Sequence, residues 1–161
     1  MKIKNGKIIS IKEVTGLKLR PIASLNGKNG SRLGFSQMVS SLSGYGEKDG
    51  FEIKTDKHTW HILIDNGQSC CESWGYVVSD EDFSKFIGKE LSDVRMTDVG
   101  LNTKMADLSK EADYGGGVQF VDFMFTDNTV LQFAVYNAHN GYYGHDIIIA
   151  RDGKILMNEV L

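Results

Sequence analysis

Proline is almost missing from this chain: Pro21 stands alone among 161 residues. The backbone is therefore free to pair over nearly its whole length, and a proline-rich linker or recognition segment is excluded. Cysteine is scarce too, with Cys70 and Cys71 adjacent and no third. Two neighbours make no disulfide framework, so any cysteine chemistry here is thiolate or metal chemistry. No apolar run nears the ~18–20 residues that cross a bilayer. The opening MKIKNGKIISIKEV lacks the uninterrupted apolar stretch of a secretory leader, so a cytoplasmic chain with no membrane partner is expected. Gly115–Gly117 is not followed by the Lys-Ser/Thr of a phosphate-cradling loop, and no HExxH zinc-hydrolase spacing occurs.

What is present is glycine, at 18 residues, and aromatic side chains, at 10% of the chain. Glycine-rich turns between β-branched and aromatic runs point to antiparallel hairpins. With 41% hydrophobic and 24% charged residues the chain folds, and its length suits one domain spanning 1–161. Charge divides it unevenly. Residues 1–34 hold Lys2, Lys4, Lys7, Lys12, Lys18, Arg20, Lys28 and Arg32 against Glu13 alone, whereas 35–161 carry ten basic and twenty acidic side chains. This split is either a solvated surface or an acidic body steered toward a basic partner. A sequence pI near 5.8 disfavours nucleic acid as the main partner.

The pattern predicts an α+β fold: a twisted antiparallel sheet of about seven or eight strands with one or two short helices. Strands are expected over 7–14, 51–55, 58–65, 73–78, 91–99, 118–126, 130–137 and 146–151, with a terminal hairpin turning at Asp152-Gly153. Trp60, Ile62 and Ile64 alternate with His61 and Leu63 as a half-buried strand requires. Asn26-Gly27 and Asn29-Gly30 mark a loop, and Ser36 caps a short helix stopped at Gly44. Ser79 and Asp82 make a capping box for a helix closed by Gly88, and 101–117 reads as a polar excursion with one helical turn.

The chemistry gathers in Cys70-Cys71-Glu72, His58 with His61, and the run HNGYYGH at 139–145. Two thiolates and two imidazoles from separate loops are a structural zinc set, provided the backbone turns between the vicinal cysteines. The competing reading is two inert buried thiols and satisfied histidines; a Cys-His nucleophile needs an orienting third group. Glu72 suits an acid or base beside a metal-bound water. Tyr142 and Tyr143 cannot both bury on one face, so one of them meets a pocket or a partner, unless both fold back on the sheet.

The segments DGFEIKTDK at 49–57, LIDNGQSCCESWGY at 63–76, FIG at 86–88 and YNAHNGYYGHD at 136–146 together resemble a family of small proteins of phages and prophages of Gram-positive bacteria. The likeness runs over roughly residues 10–150, and its most specific part is the Cys-Cys-Glu and His-Asn-Gly-Tyr-Tyr-Gly-His pairing. The resemblance implies an anti-CRISPR protein of the host cytoplasm that inhibits a type II-A Cas9 without enzymatic activity, blocking its nucleic-acid loading or activation. It also implies a structural zinc held by Cys70, Cys71, His139 and His145, with His58 and His61 as reserve ligands. Asp80, Glu81 and Asp82, or the 101–117 excursion, are candidate partner contacts. The alternative is a metal-dependent hydrolase or a protein that sequesters a nucleotide signal, with Glu72 as base and a tyrosine stacking on the ligand. Exposed edges and tyrosine-rich loops also allow a homodimer.

Overall fold

The structure, a computed structural model, describes residues 5–18, 47–68, 72–111, 116–139 and 144–161. The loop expected at 26–30, the helix at 36–44, Cys70, Cys71, Tyr142 and Tyr143 lie outside these residues, as does the side chain of His139. Nine strands are described: β1 Ile8–Leu17, β2 Lys48–Thr55, β3 Thr59–Asp65, β4 Glu72–Val78, β5 Leu91–Thr97, β6 Gly117–Phe125, β7 Val130–His139, β8 Asp146–Arg151 and β9 Lys154–Val160. All pair antiparallel. They form two sheets, ordered β1-β2-β3-β8-β9 and β4-β7-β6-β5, where the sequence pattern suggested a single one.

The two sheets share a core because each strand directs alternate apolar side chains inward. Phe51, Trp60, Ile62, Ile64, Ile147 and Ile149 from the first sheet meet Val121, Phe123, Phe133 and Val135 from the second. Rings cross the interface: Phe51 lies 4.9 Å from Phe133, and Trp60 lies 5.7 Å from Phe123 in edge-to-face contact. Leu63 departs from the half-buried pattern. It is buried on the opposite face of its strand, with Ile148 and Ala150, and Val14, Leu17 and Ile155 pack against the three. β3 and β8 are the inner strands of the sheet, and strands buried on both faces lose the apolar-polar alternation.

Close approach of the backbones explains one glycine. Gly50 has φ +152°, and a Cβ there would stand 2.0 Å from the carbonyl oxygen of Ile62.

Helical structure is sparse and departs from expectation. The helix expected at 80–88 is only a 3-10 turn, Phe83–Lys85, because the capping box never forms. Ser79 instead accepts the backbone N–H of Gln132, 3.0 Å away, and Asp82 binds the hydroxyl of Ser84. The polar excursion holds a nine-residue helix, α1, Thr103–Glu111. Asn102 caps it by accepting the N–H of Met105 at 3.0 Å, and Met105 and Leu108 bury against Phe120 and Ala134 on the outer face of the second sheet.

Candidate functional site

Chain returns bring four strand ends to one end of the molecule. β3 and β8 are neighbours in the first sheet, so the end of β3 at Asp65 lies by the start of β8. β4 and β7 are neighbours in the second, and Glu72 at the start of β4 is the cross-strand partner of His139. His145, one residue before β8, reaches between the sheets. Its Nδ1 lies 2.8 Å from the Asp65 carbonyl oxygen and its Nε2 lies 2.8 Å from Glu72 Oε2. The two side chains are 4% and 1% exposed. Trp74 stacks on the imidazole at 5.4 Å, and its indole N–H is fixed by Gln68 at 2.8 Å. Gln68 in turn donates to the Glu72 carbonyl at 3.3 Å. The backbone of His145 pairs both ways with Leu161, whose carbonyl also accepts from the Asn137 side chain.

This arrangement fixes the protons. A carbonyl only accepts, so the ring carries its hydrogen on Nδ1, and the contact between Nε2 and Glu72 needs one further proton shared between base and carboxylate. A metal-binding histidine uses the same anchoring, its Nδ1–H tied to a carbonyl so that the Nε2 lone pair faces the metal. The donors described here number two, Glu72 and His145. No group of three or more potential metal ligands stands together among the described residues. In sequence, Cys70 and Cys71 directly precede Glu72.

The other candidates fall elsewhere. His58 is held by Asp152 at 2.6 Å, and His61 by Glu52 at 3.0 Å. His58 precedes β3 and His61 lies within it, seven and four residues before Asp65, about 23 and about 13 Å of extended chain, and each is engaged by a carboxylate of its own. Asp80, Glu81 and Asp82 follow the far end of β4 from Glu72. Asp80 pairs with Lys85 at 2.8 Å, and that hydrogen bond holds its carboxyl below the usual range; Glu81 lies 3.4 Å from Lys104. Trp74, Gln68, Asn137 and the Asp65 carbonyl escaped the sequence reading. Only Trp74 left a trace there, two residues after Glu72 and so on the same strand face.

Comparison with known proteins adds lineage. Uncharacterized protein L278 of Acanthamoeba polyphaga mimivirus is 28% identical over 93 residues, covering 55% of this chain and 65% of that protein. No solved structure matches the chain. A family model described as a domain of unknown function, DUF7448, matches residues 6–149. The match takes in the whole second sheet, the first sheet apart from β9 and the end of β8, and the His145–Glu72 contact, and the chain belongs to that family.

Proposed function

We propose that this is a virus-encoded, non-enzymatic binding protein that acts on a basic protein partner in the host bacterial cytoplasm, with a type II-A Cas9 as the partner to test. The observation that carries the reading is how the described histidines are engaged. His58, His61 and His145 each face a carboxylate of the fold, and the most buried of these pairs, His145 with Glu72, is shut from solvent. The viral relative supports a viral origin, and the acidic balance of residues 35–161 supports a basic partner.

Cys70, Cys71, His139 and His145 would hold a zinc ion in this reading. Bound there, zinc would supply a rigid cross-link between the loop before β4 and the loop after β7. Two contacts would orient the imidazole for it, the Asp65 carbonyl at Nδ1 and Trp74 against the ring, and zinc at Nε2 would take the place of the proton that Nε2 shares with Glu72. A hydrolase using Glu72 as base is disfavoured by the same geometry, because a substrate and its attacking water need access to that carboxylate.

Metal analysis by mass spectrometry tests the centre, on untagged protein purified without chelator, beside the Cys70→Ser/Cys71→Ser variant. One zinc per chain in the wild type and none in the variant is expected, with a lower melting temperature and loss of Cas9 inhibition in a DNA-cleavage assay. Absence of metal from both sinks the zinc centre. Inhibition that survives complete metal loss removes zinc from the mechanism, and a Cas9 unaffected by wild type removes Cas9. Glu72→Gln that abolished a hydrolytic turnover while keeping fold and metal would favour the enzyme instead.

A further inference from the structure

Two surface segments, 80–82 and 98–101, fifteen residues apart in sequence, are tied to one buried residue. Gln132 on β7 is 1% exposed. Its backbone exchanges hydrogen bonds with Ser79, at 2.8 and 3.0 Å, which anchors the turn carrying Asp80, Glu81 and Asp82. Its side-chain oxygen accepts the Leu101 N–H at 2.8 Å, and its amide nitrogen donates to the Val99 carbonyl at 2.9 Å and to buried Asp122 at 2.7 Å. Arg95 holds the other Asp122 oxygen at 3.0 Å. Lys104, at the start of α1, adds a further tie between the segments, donating to the Val78 carbonyl and meeting Glu81.

The backbone of 99–101 is therefore fixed from beneath, yet its side chains point away from the core. Val99 is 72% exposed and Leu101 46%. Single exposed apolar residues are ordinary on any surface. A fully buried glutamine and a buried aspartate that together immobilise a loop bearing two of them are not, since ordering the chain costs entropy that solvent-exposed valine and leucine do not return. Exposed Asp98, Glu81 and Asp82 lie in the same two segments, and Asp98 makes no ion pair among the described residues.

We propose that the turn 80–82 and the loop 98–101, joined through Gln132, form the docking surface for a basic protein partner. Val99 and Leu101 fill an apolar depression on that partner, and Glu81, Asp82 and Asp98 meet its surrounding lysines and arginines. This rests on the reading of the protein as a binding module for a basic protein, and it places the contact at the far end of β4 from the His145–Glu72 site. Pre-ordering of the loop lowers the entropy lost on binding, and the acidic rim sets approach and orientation.

The test uses the full-length 15N-labelled chain titrated with a synthetic amphipathic Arg/Leu helix as a model basic partner, in parallel with binding to purified type II-A Cas9. Saturable shifts centred on 80–82 and 98–101 are expected. The Val99→Ser/Leu101→Ser and Asp82→Asn/Asp98→Asn variants should each weaken binding at least tenfold with unchanged melting temperature, while Leu156→Ser on β9 leaves it intact. Shifts centred elsewhere, no saturable binding, or equal affinity of the variants overturns the surface. So does a concentration-dependent dimer seated on these residues, which would assign them to a second copy of the chain. Failure of the wild type to bind Cas9 while the helix docks as expected overturns Cas9 alone.

Discussion

A residue's meaning in this protein depends on what reaches it from far along the chain. His145 and Glu72 are 73 positions apart, yet their side chains meet at 2.8 Å, shielded from solvent between the sheets. The sequence reading picked out both as chemical candidates, His145 as a ligand and Glu72 as a base. What it could not see was their mutual contact, because no spacing encodes a meeting made by two separate sheets. Lys48 is the opposite case. It is 2% exposed, and among the described residues its ammonium has no hydrogen-bond partner. A buried amine without a hydrogen bond opposes folding, so Lys48→Met, nearly the same shape, is expected to stabilise by about 1–3 kcal/mol. The check is a urea midpoint that rises with unchanged slope; a fall would mean that the amine has a structural task.

At the scale of elements, strands were legible and helices were not. Strand runs such as VQFVDFMF and DIIIAR announce themselves by composition, and the turns between them by Asx-Gly pairs, both being properties of a few adjacent residues. Helix α1 carries only Met105 and Leu108 as deeply buried anchors, too few for a periodic signal, and it forms because the outer face of the second sheet offers Phe120 and Ala134 to bury against. Its cap then matters more than usual. Asn102→Ala is expected to cost about 1 kcal/mol, read from urea unfolding. The same loop carries Val99 and Leu101, so amide exchange at 99–106 should quicken in that variant, and exchange that stays unchanged would show the loop to be held by Gln132 alone. The 3-10 turn at 83–85 failed as a helix for a related reason, since β7 claimed Ser79.

For the whole molecule, carboxylates set the acid limit. Burial pushes Glu52 up, but hydrogen bonds from Lys12, His61 and Lys54 outweigh it and hold the carboxyl below its ordinary range. Asp152 is likewise pushed up by burial and brought lower by the Thr59 N–H and His58. Asp127 is lowered by Lys89 and then by Thr129. Each pKa lies lower in the folded chain than in the unfolded one, so each contributes stability above pH about 4 that is lost as pH falls through the depressed folded values. The melting temperature should therefore be flat from neutral pH to about 5 and drop below about 4. High salt should weaken the exposed Asp127–Lys89 contribution and spare more of that of Glu52, which is tucked against the sheet. A melting temperature unchanged down to pH 3 would show that these pairs carry no net stability.

The sequence by itself determined where chain extends and turns, because alternation and turn residues act over two to six neighbours. It also determined the basic and acidic division and the inventory of reactive groups. The tertiary structure alone decided that the strands split into two sheets, that β3 runs beside β8 and β4 beside β7, and therefore that His145 meets Glu72 while His58 and His61 stand apart. Pairing between distant strands is chosen by which combination of faces buries the most apolar surface at once, and that choice is a property of the assembled core rather than of any segment of it.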